Sequence, residues 1–237
     1  MKNTEFVEKL KQLQQCDTLY VSGAYGQPLN KTNQEKLITQ YSSNKKRAKV
    51  IRSKDENTFA GDCSGIVKGI LWGWCGDKTK PNGGAKYASN NVPDINAAQL
   101  LSKCKDVSTD FSKVEIGEFL WMAGHCGVYI GDGLCIESTP KWLNGVLISG
   151  VKNMKTSYEG RTRSWTKHGK LPWITYENVN TEKPTVVETI KYYVVKKGDT
   201  LGKIALKHRL TLAKILNLNP NITDPNVIYV GQKVRVK

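Results

Sequence analysis

Within residues 1–177 the hydrophobic period changes once, near residue 117. Ahead of that point apolar residues recur at helical spacing; beyond it they fall in short extended runs broken by Gly, Asp and Asn. Phe6, Val7, Leu10 and Leu13 mark one face of a helix over 4–15, and Leu37, Ile38 and Tyr41 the inner side of another over 33–42. Ile66, Val67, Ile70 and Leu71 form a third such face just after Cys63, and Asp94 is placed to cap a fourth helix ending near Cys104. The runs GEFLWMAG, HCGVYIGDG, LCIESTP and NGVLISGV follow, with the GDG at 131–133 reading as a hairpin turn. Helices first and antiparallel strands afterwards specify an α+β unit over residues 1–177, closing with HGKLPWITY. The stretch 178–190, NVNTEKPTVVETI, lacks helical periodicity and reads as a linker to a compact second unit over 191–237.

Composition narrows the function classes. No apolar run approaches the roughly 20 residues of a spanning helix, so membrane insertion is not expected. The first residues, MKNTEFVEKLKQLQQC, carry charge throughout and lack an apolar signal core. The net charge of +15 favours a polyanionic partner, and ten Lys/Arg against two Asp/Glu in 191–237 concentrate it at the C-terminal end. Nucleic acid is disfavoured as that partner, because no helix-turn-helix, zinc knuckle or RNA-binding aromatic motif is present. The six cysteines include no CxxC pair; reduced thiols are expected, with neither a structural metal nor an organic cofactor. The 45–52 basic stretch and segment 76–93 read as a solvated face and an exposed loop.

One cysteine stands out. In TFAGDCSGIVKGIL (58–71), Cys63 sits where a small-residue turn runs into an apolar helix, with Gly61 and Gly65 leaving room around the sulfur. A helix N-terminus favours thiolate over thiol. His125 opens one strand run and Glu137, twelve residues on, ends the next, so a tight hairpin would set them side by side. Cysteine, imidazole and carboxylate together make a thiol hydrolase. His125 would move protons, Glu137 would fix its tautomer, and the N–H groups of Cys63 and Ser64 would hold the oxyanion. An ordinary cross-strand His–Glu pair is the competing reading. His168 is expected in a loop, His208 on a solvated helix face, Trp72 and Trp74 in the core or a cleft wall. Cys126, one residue after His125, should point to the opposite sheet face as a structural residue.

The DCSG that opens a helix, the later GHCGVYIGDG and the polar residue twelve after its histidine resemble the NlpC/p-sixty family of papain-like cell-wall cysteine peptidases. The resemblance covers roughly 5–175 and implies a papain-like catalytic domain, N-terminal helices packed on an antiparallel sheet. It implies Cys63 as nucleophile, His125 as base and Glu137 as third member, where relatives often carry His or another polar residue. LYVSGAYG is similar to the family's tyrosine motif, which would bring the Tyr20 hydroxyl to the site. Asp62 and Ser64 would line it, Asp62 shaping the turn. The implied bond is D-isoglutamyl–diamino acid in a peptidoglycan stem peptide, with the N-acetylmuramoyl-L-alanine amide as the alternative. The stretch EIGEFLWMAGHCGVYIGDGLCIESTPKW also resembles phage-encoded members. Together with the missing signal, that implies synthesis in a host cytoplasm and action on the wall after release.

Residues 191–237 read as strand, helix, helix, strand. GDTL, the NPNI run and IYVGQKVRV resemble the LysM module, which binds N-acetylglucosamine-containing glycans. On that match Gly198, Asp199, Thr200 and Leu201 form one wall of the groove, and Asn219, Pro220, Asn221 and Ile222 the other. The charge of this unit adds anionic wall polymers as partners. A non-catalytic wall-binding protein that keeps the peptidase fold as scaffold is the reading of another class.

Overall fold

The structure, a computed structural model, describes residues 1–177, 192–196, 198–208, 210–219, 222 and 224–236; the expected linker and the groove positions Pro220 and Asn221 lie outside the described residues. The chain forms two compact units, Met1–Glu177 and Asn178–Lys237.

The first unit begins with α1 (Asn3–Gln14), whose Phe6, Val7, Leu10 and Leu13 are buried on the expected face. A small sheet follows from β1 (Asp17–Tyr20) and β2 (Tyr25–Pro28). Three helices come next: α2 (Lys31–Gln40), α3 (Ser42–Lys46) and α4 (Ala48–Arg52). Then β3 (Thr58–Gly61) inserts between β1 and β2, parallel to the first and antiparallel to the second. The helix α5 (Cys63–Leu71) leaves β3 after a single residue, Asp62. After the irregular 76–93 segment comes α6 (Ala97–Lys103), capped by Asn96 in a capping box with Gln99 rather than by Asp94. Asp94 instead pairs with the buried ammonium of Lys68.

The remaining strands are β4 (Lys105–Ser108), β5 (Phe119–Met122), β6 (His125–Gly131), β7 (Leu134–Thr139), β8 (Gly145–Val151), β9 (Thr162–Arg163) and β10 (Lys167–Lys170). They build a seven-stranded sheet in the order β4-β10-β5-β6-β7-β8-β9. All of its pairings are antiparallel except β8 with β9. Asp132 and Gly133 turn β6 into β7 with φ of 51° and 70°, the left-handed pair that a two-residue hairpin needs. Both sheet faces are covered. Cys126, Val128 and Ile136 meet α5 and α1, while Tyr129, Cys135 and Trp165 pack with Phe111 and Val151 beneath. The most buried helix of the unit is thus laid across the strands that carry His125 and Glu137.

In the second unit, β11 (Tyr192–Val194) pairs antiparallel with β12 (Lys233–Arg235), and α7 (Leu201–Lys207) and α8 (Leu212–Leu218) lie between them in sequence. Leu201, Ile204, Ala205, Ile215, Val234 and Val236 form its core.

Candidate active site

Cys63 is the first residue of α5, and Asp62 is the N-cap. Oδ1 of Asp62 accepts from the Gly65 N–H at 2.6 Å and from Ser64 Oγ at 3.2 Å, and Oδ2 accepts from the Gly23 N–H at 2.6 Å. The cap fixes the first turn, whose N–H groups at Cys63 and Ser64 lack intrahelical acceptors. The glycines serve backbone approach rather than space for sulfur. A Cβ on Gly65 would lie 1.9 Å from the Ala24 carbonyl oxygen, and one on Gly69 2.0 Å from that of Tyr25. The helix therefore seats its glycine face directly on the backbone of Ala24 and Tyr25, where the chain enters β2.

Opposite Cys63, the Nε2–H of His125 donates to Oε2 of Glu137 at 2.6 Å, which leaves Nδ1 for Cys63. Glu137 is fully buried and saturated. Ser149 Oγ donates to Oε1 at 2.5 Å, and Arg163 Nη2 lies 2.6 Å from Oε2. Trp165 stacks on the imidazole at 5.6 Å between centroids and 12° between planes. Cys63, with 8% of its surface exposed, lies close enough to Cys126 and His125 for both to act on its sulfur. The Cys126 contact first, and then the His125 hydrogen bond and charge, outweigh burial and bring the Cys63 thiol down to about 4. Burial opposes protonation of His125, but Cys63 and Glu137 overcome it and hold the imidazole above its ordinary range. Burial likewise opposes ionisation of Glu137, and its hydrogen bonds from His125, Arg163 and Ser149 hold it below the usual carboxylate range. The arrangement favours a thiolate–imidazolium pair backed by an ionised carboxylate.

The other expected residues fall as follows. Tyr20 pairs with Gly61 across β1 and β3, and its phenol is held protonated by burial and by the nearby charges of Cys63 and Asp62. Asp62 and Ser64 line a cavity of about 720 Å³ with Tyr41, Lys68 and Asp94, but both oxygens of Asp62 are engaged within the protein. Cys126 does lie on the sheet face opposite Glu137; α5 covers that face, so its thiol meets Cys63 instead of standing apart from the site. His168 is not in a loop. It lies in β10, buried against Glu118 and within 3.1 Å of the Asp110 carbonyl. TKHGKLPW shows no apolar alternation to reveal that strand. His208 caps the end of α7 and packs edge-on against Tyr193 rather than facing solvent. Trp72 and Trp74 are core residues, their indole N–H groups donating to Val92 and Gly26 carbonyls.

Three contributors had no sequence signal. Ser149 and Arg163 reach Glu137 from strands that follow it. Arg47, in the stretch expected to be a solvated face, donates to the Tyr20 carbonyl at 2.6 Å and to Asn144 Oδ1 at 2.6 Å. It braces β1 against the β7–β8 loop.

In the second unit, Asp199, Thr200 and Leu201 line a cavity of about 450 Å³, whose other wall is Leu212, Pro225, Asn226 and Ile228. Thr200 caps α7, and Asp199 accepts from the Lys196 N–H and Tyr193 hydroxyl. Gly198 precedes them with φ of 88°. Asn219 and Ile222 do not form the second wall. The Asn219 amide donates inward to the Ile215 and Arg235 carbonyls, and Ile222 joins the core. A short polar side chain able to tie α8 to β12 is worth more to this small fold than an exposed one.

Residues 193–237 match the LysM domain family. The endolysin of Bacillus phage PZA is 35% identical over 113 residues, 46% of this chain and 40% of that protein. The endolysin of Bacillus phage B103 is 50% identical over 56 residues, 24% of this chain and 21% of that protein. The N-acetylmuramoyl-L-alanine amidase XlyB of Bacillus subtilis (strain 168) is 40% identical over 58 residues, 24% of this chain and 18% of that protein. The chain spans less than half the length of each of these relatives. It carries a LysM domain at its C-terminal end and is related in part to phage endolysins.

Proposed function

We propose that the chain is a peptidoglycan hydrolase of the papain-like, NlpC/p-sixty type that cuts a stem-peptide amide by thiol catalysis. The observation that carries this reading is the line Cys63–His125–Glu137, in which a helix-start sulfur and a buried carboxylate flank the same imidazole. The Cys63 thiolate attacks the amide carbonyl, and the oxyanion takes the first-turn N–H groups of Cys63 and Ser64. The C–N bond breaks as His125 gives its proton to the leaving amine. Water, deprotonated by His125, then cleaves the thioester to a carboxylate and restores the thiolate. Tyr20, near enough to feel the charge of Cys63, would offer its hydroxyl to the substrate carbonyl. The cavity bounded by Tyr41, Lys68 and Asp94, next to Ser64, would take part of the peptide.

The LysM domain would hold the chain on glycan, raising the local concentration of amide bonds. Its positive charge would add attraction to anionic wall polymers. Among the described residues no helix is long and apolar enough to cross a membrane. The bond favoured by the motif is D-isoglutamyl–diamino acid. The muramoyl–L-alanine amide is the second reading. Mass spectrometry of fragments released from purified sacculi separates them. New diamino-acid amino termini support the first; lactyl carboxylates freed together with L-alanine amino termini support the second.

A further inference from the structure

Glu137 poses an electrostatic problem for the site it serves. A carboxylate with no exposed surface, hydrogen-bonded to an imidazole, holds the proton on that ring strongly, because charge interactions grow as water is excluded. Catalysis needs His125 to release that proton to a leaving amine. Arg163 bears on the conflict directly. Its Nη2 lies 2.6 Å from Oε2, the oxygen that His125 uses. Its guanidinium sits 5.0 Å over the ring of Trp142 and 5.9 Å over that of Trp165, and Trp165 in turn stacks on His125. Arginine is thus locked in place from two sides, on a two-residue strand paired to β8 through Val151.

We propose that Arg163 is the charge-balancing positioning residue of the site: it offsets part of the charge of Glu137, so that position 137 holds the proton on His125 less tightly than a lone buried carboxylate would. Glu137 then orients the imidazole with a weakened hold on its proton. Ser149 fills the remaining oxygen and adds no charge. The catalytic consequence rests on reading Cys63 as the nucleophile; the electrostatic claim does not. The competing role for Arg163 is a structural tie between β9 and β7, and that role carries no link to the ionisation of His125.

The test is the titration of His125 followed by NMR in the full chain carrying Cys63→Ala. Arg163→Met is expected to raise the His125 midpoint by about one unit or more, a tenfold gain in proton affinity. Adding Glu137→Gln to Arg163→Met is expected to bring the raised midpoint back down by about one unit or more, because the carboxylate whose charge Arg163 offsets is then gone. Arg163→Lys should restore most of the parent midpoint. The proposal is overturned if Arg163→Met leaves the midpoint unchanged or lowers it, or if the raised midpoint stays in place when Glu137→Gln is added. Should Arg163→Met fail to fold, Arg163→Gln takes its place, with the same rise expected and the same outcomes contradicting it. Wild-type protein that releases nothing from cell walls would overturn the hydrolase reading and leave this titration intact.

Discussion

Glu137 faces Gly127, not His125, across the β6–β7 ladder, and its carboxylate reaches the imidazole diagonally, 2.6 Å from Nε2. The glycine makes the diagonal workable. A Cβ at 127 would stand 3.1 Å from the Trp165 ring and 3.0 Å from the Ile136 carbonyl oxygen. With none there, Trp165 lies flat against His125. Gly127→Val should push the indole away and free the imidazole to rotate. The expected effect is a loss of about tenfold to a hundredfold in kcat/KM, as for other small misplacements of a reacting group. Steady-state kinetics alongside circular dichroism checks it; an active, folded variant would show that Trp165 does not hold His125.

The ionisations set the pH range of activity. Cys63 is held near 4, so activity should fall in acid as the thiolate takes up a proton. His125 is held above its ordinary range, so the alkaline limb should lie above the usual imidazole value of about 6.5. A bell-shaped kcat/KM profile with a broad top between the limbs is expected. Stability follows the same signs. The contribution of Glu137, whose folded value is depressed, is lost as pH falls through that value; that of His125, whose value is raised, is lost as pH climbs through it. A profile with its acid limb near the ordinary thiol value would contradict the thiolate–imidazolium pair.

The seating of α5 can be tested apart from chemistry. Gly65→Ala places a methyl 1.9 Å from a backbone oxygen, and Gly69→Ala one at 2.0 Å, so neither can be absorbed by a side-chain shift. Each should cost about 1–3 kcal/mol or more in urea unfolding, the usual range for overpacking. Gly73, with open space around its α-carbon but φ of 93°, gives a useful contrast: Gly73→Asn should be tolerated better than either.

The second unit should act on retention rather than on chemistry. Leu212 lines the LysM cavity and is 43% exposed, so Leu212→Asp can be made without disturbing the core. Binding to insoluble peptidoglycan should weaken by about tenfold or more through loss of apolar contact, while cleavage of a short soluble stem peptide stays unchanged. Sedimentation with sacculi, paired with a soluble-peptide assay, separates the two effects.

Much of this architecture could be read ahead of the coordinates because its signals are local. The α1 and α5 faces, the β6–β7 hairpin and the closeness of His125 to Glu137 all follow from spacing within a few residues. What could not be read depends on distant parts of the chain. Arg163 and Ser149 reach Glu137 only because β8 returns beside β7 and β9 beside β8, and nothing in GRTRSW marks that return. The parallel pairing of β1 with β3 joins segments some forty residues apart. The face of Cys126 followed from alternation, but what covers that face did not. His168 and Asn219 show a further limit: their types suggest solvent, and only the partners folded around them explain their burial.

The most direct test is mass spectrometry of fragments released from purified sacculi by wild type and by Cys63→Ala. The expected result is paired carboxyl and amino ends at one stem-peptide amide from wild type and none from the variant, with both proteins retained equally on the wall. The contradicting result is the same fragments from Cys63→Ala, or sugar reducing ends with every peptide amide intact; either would take the chemistry away from this sulfur.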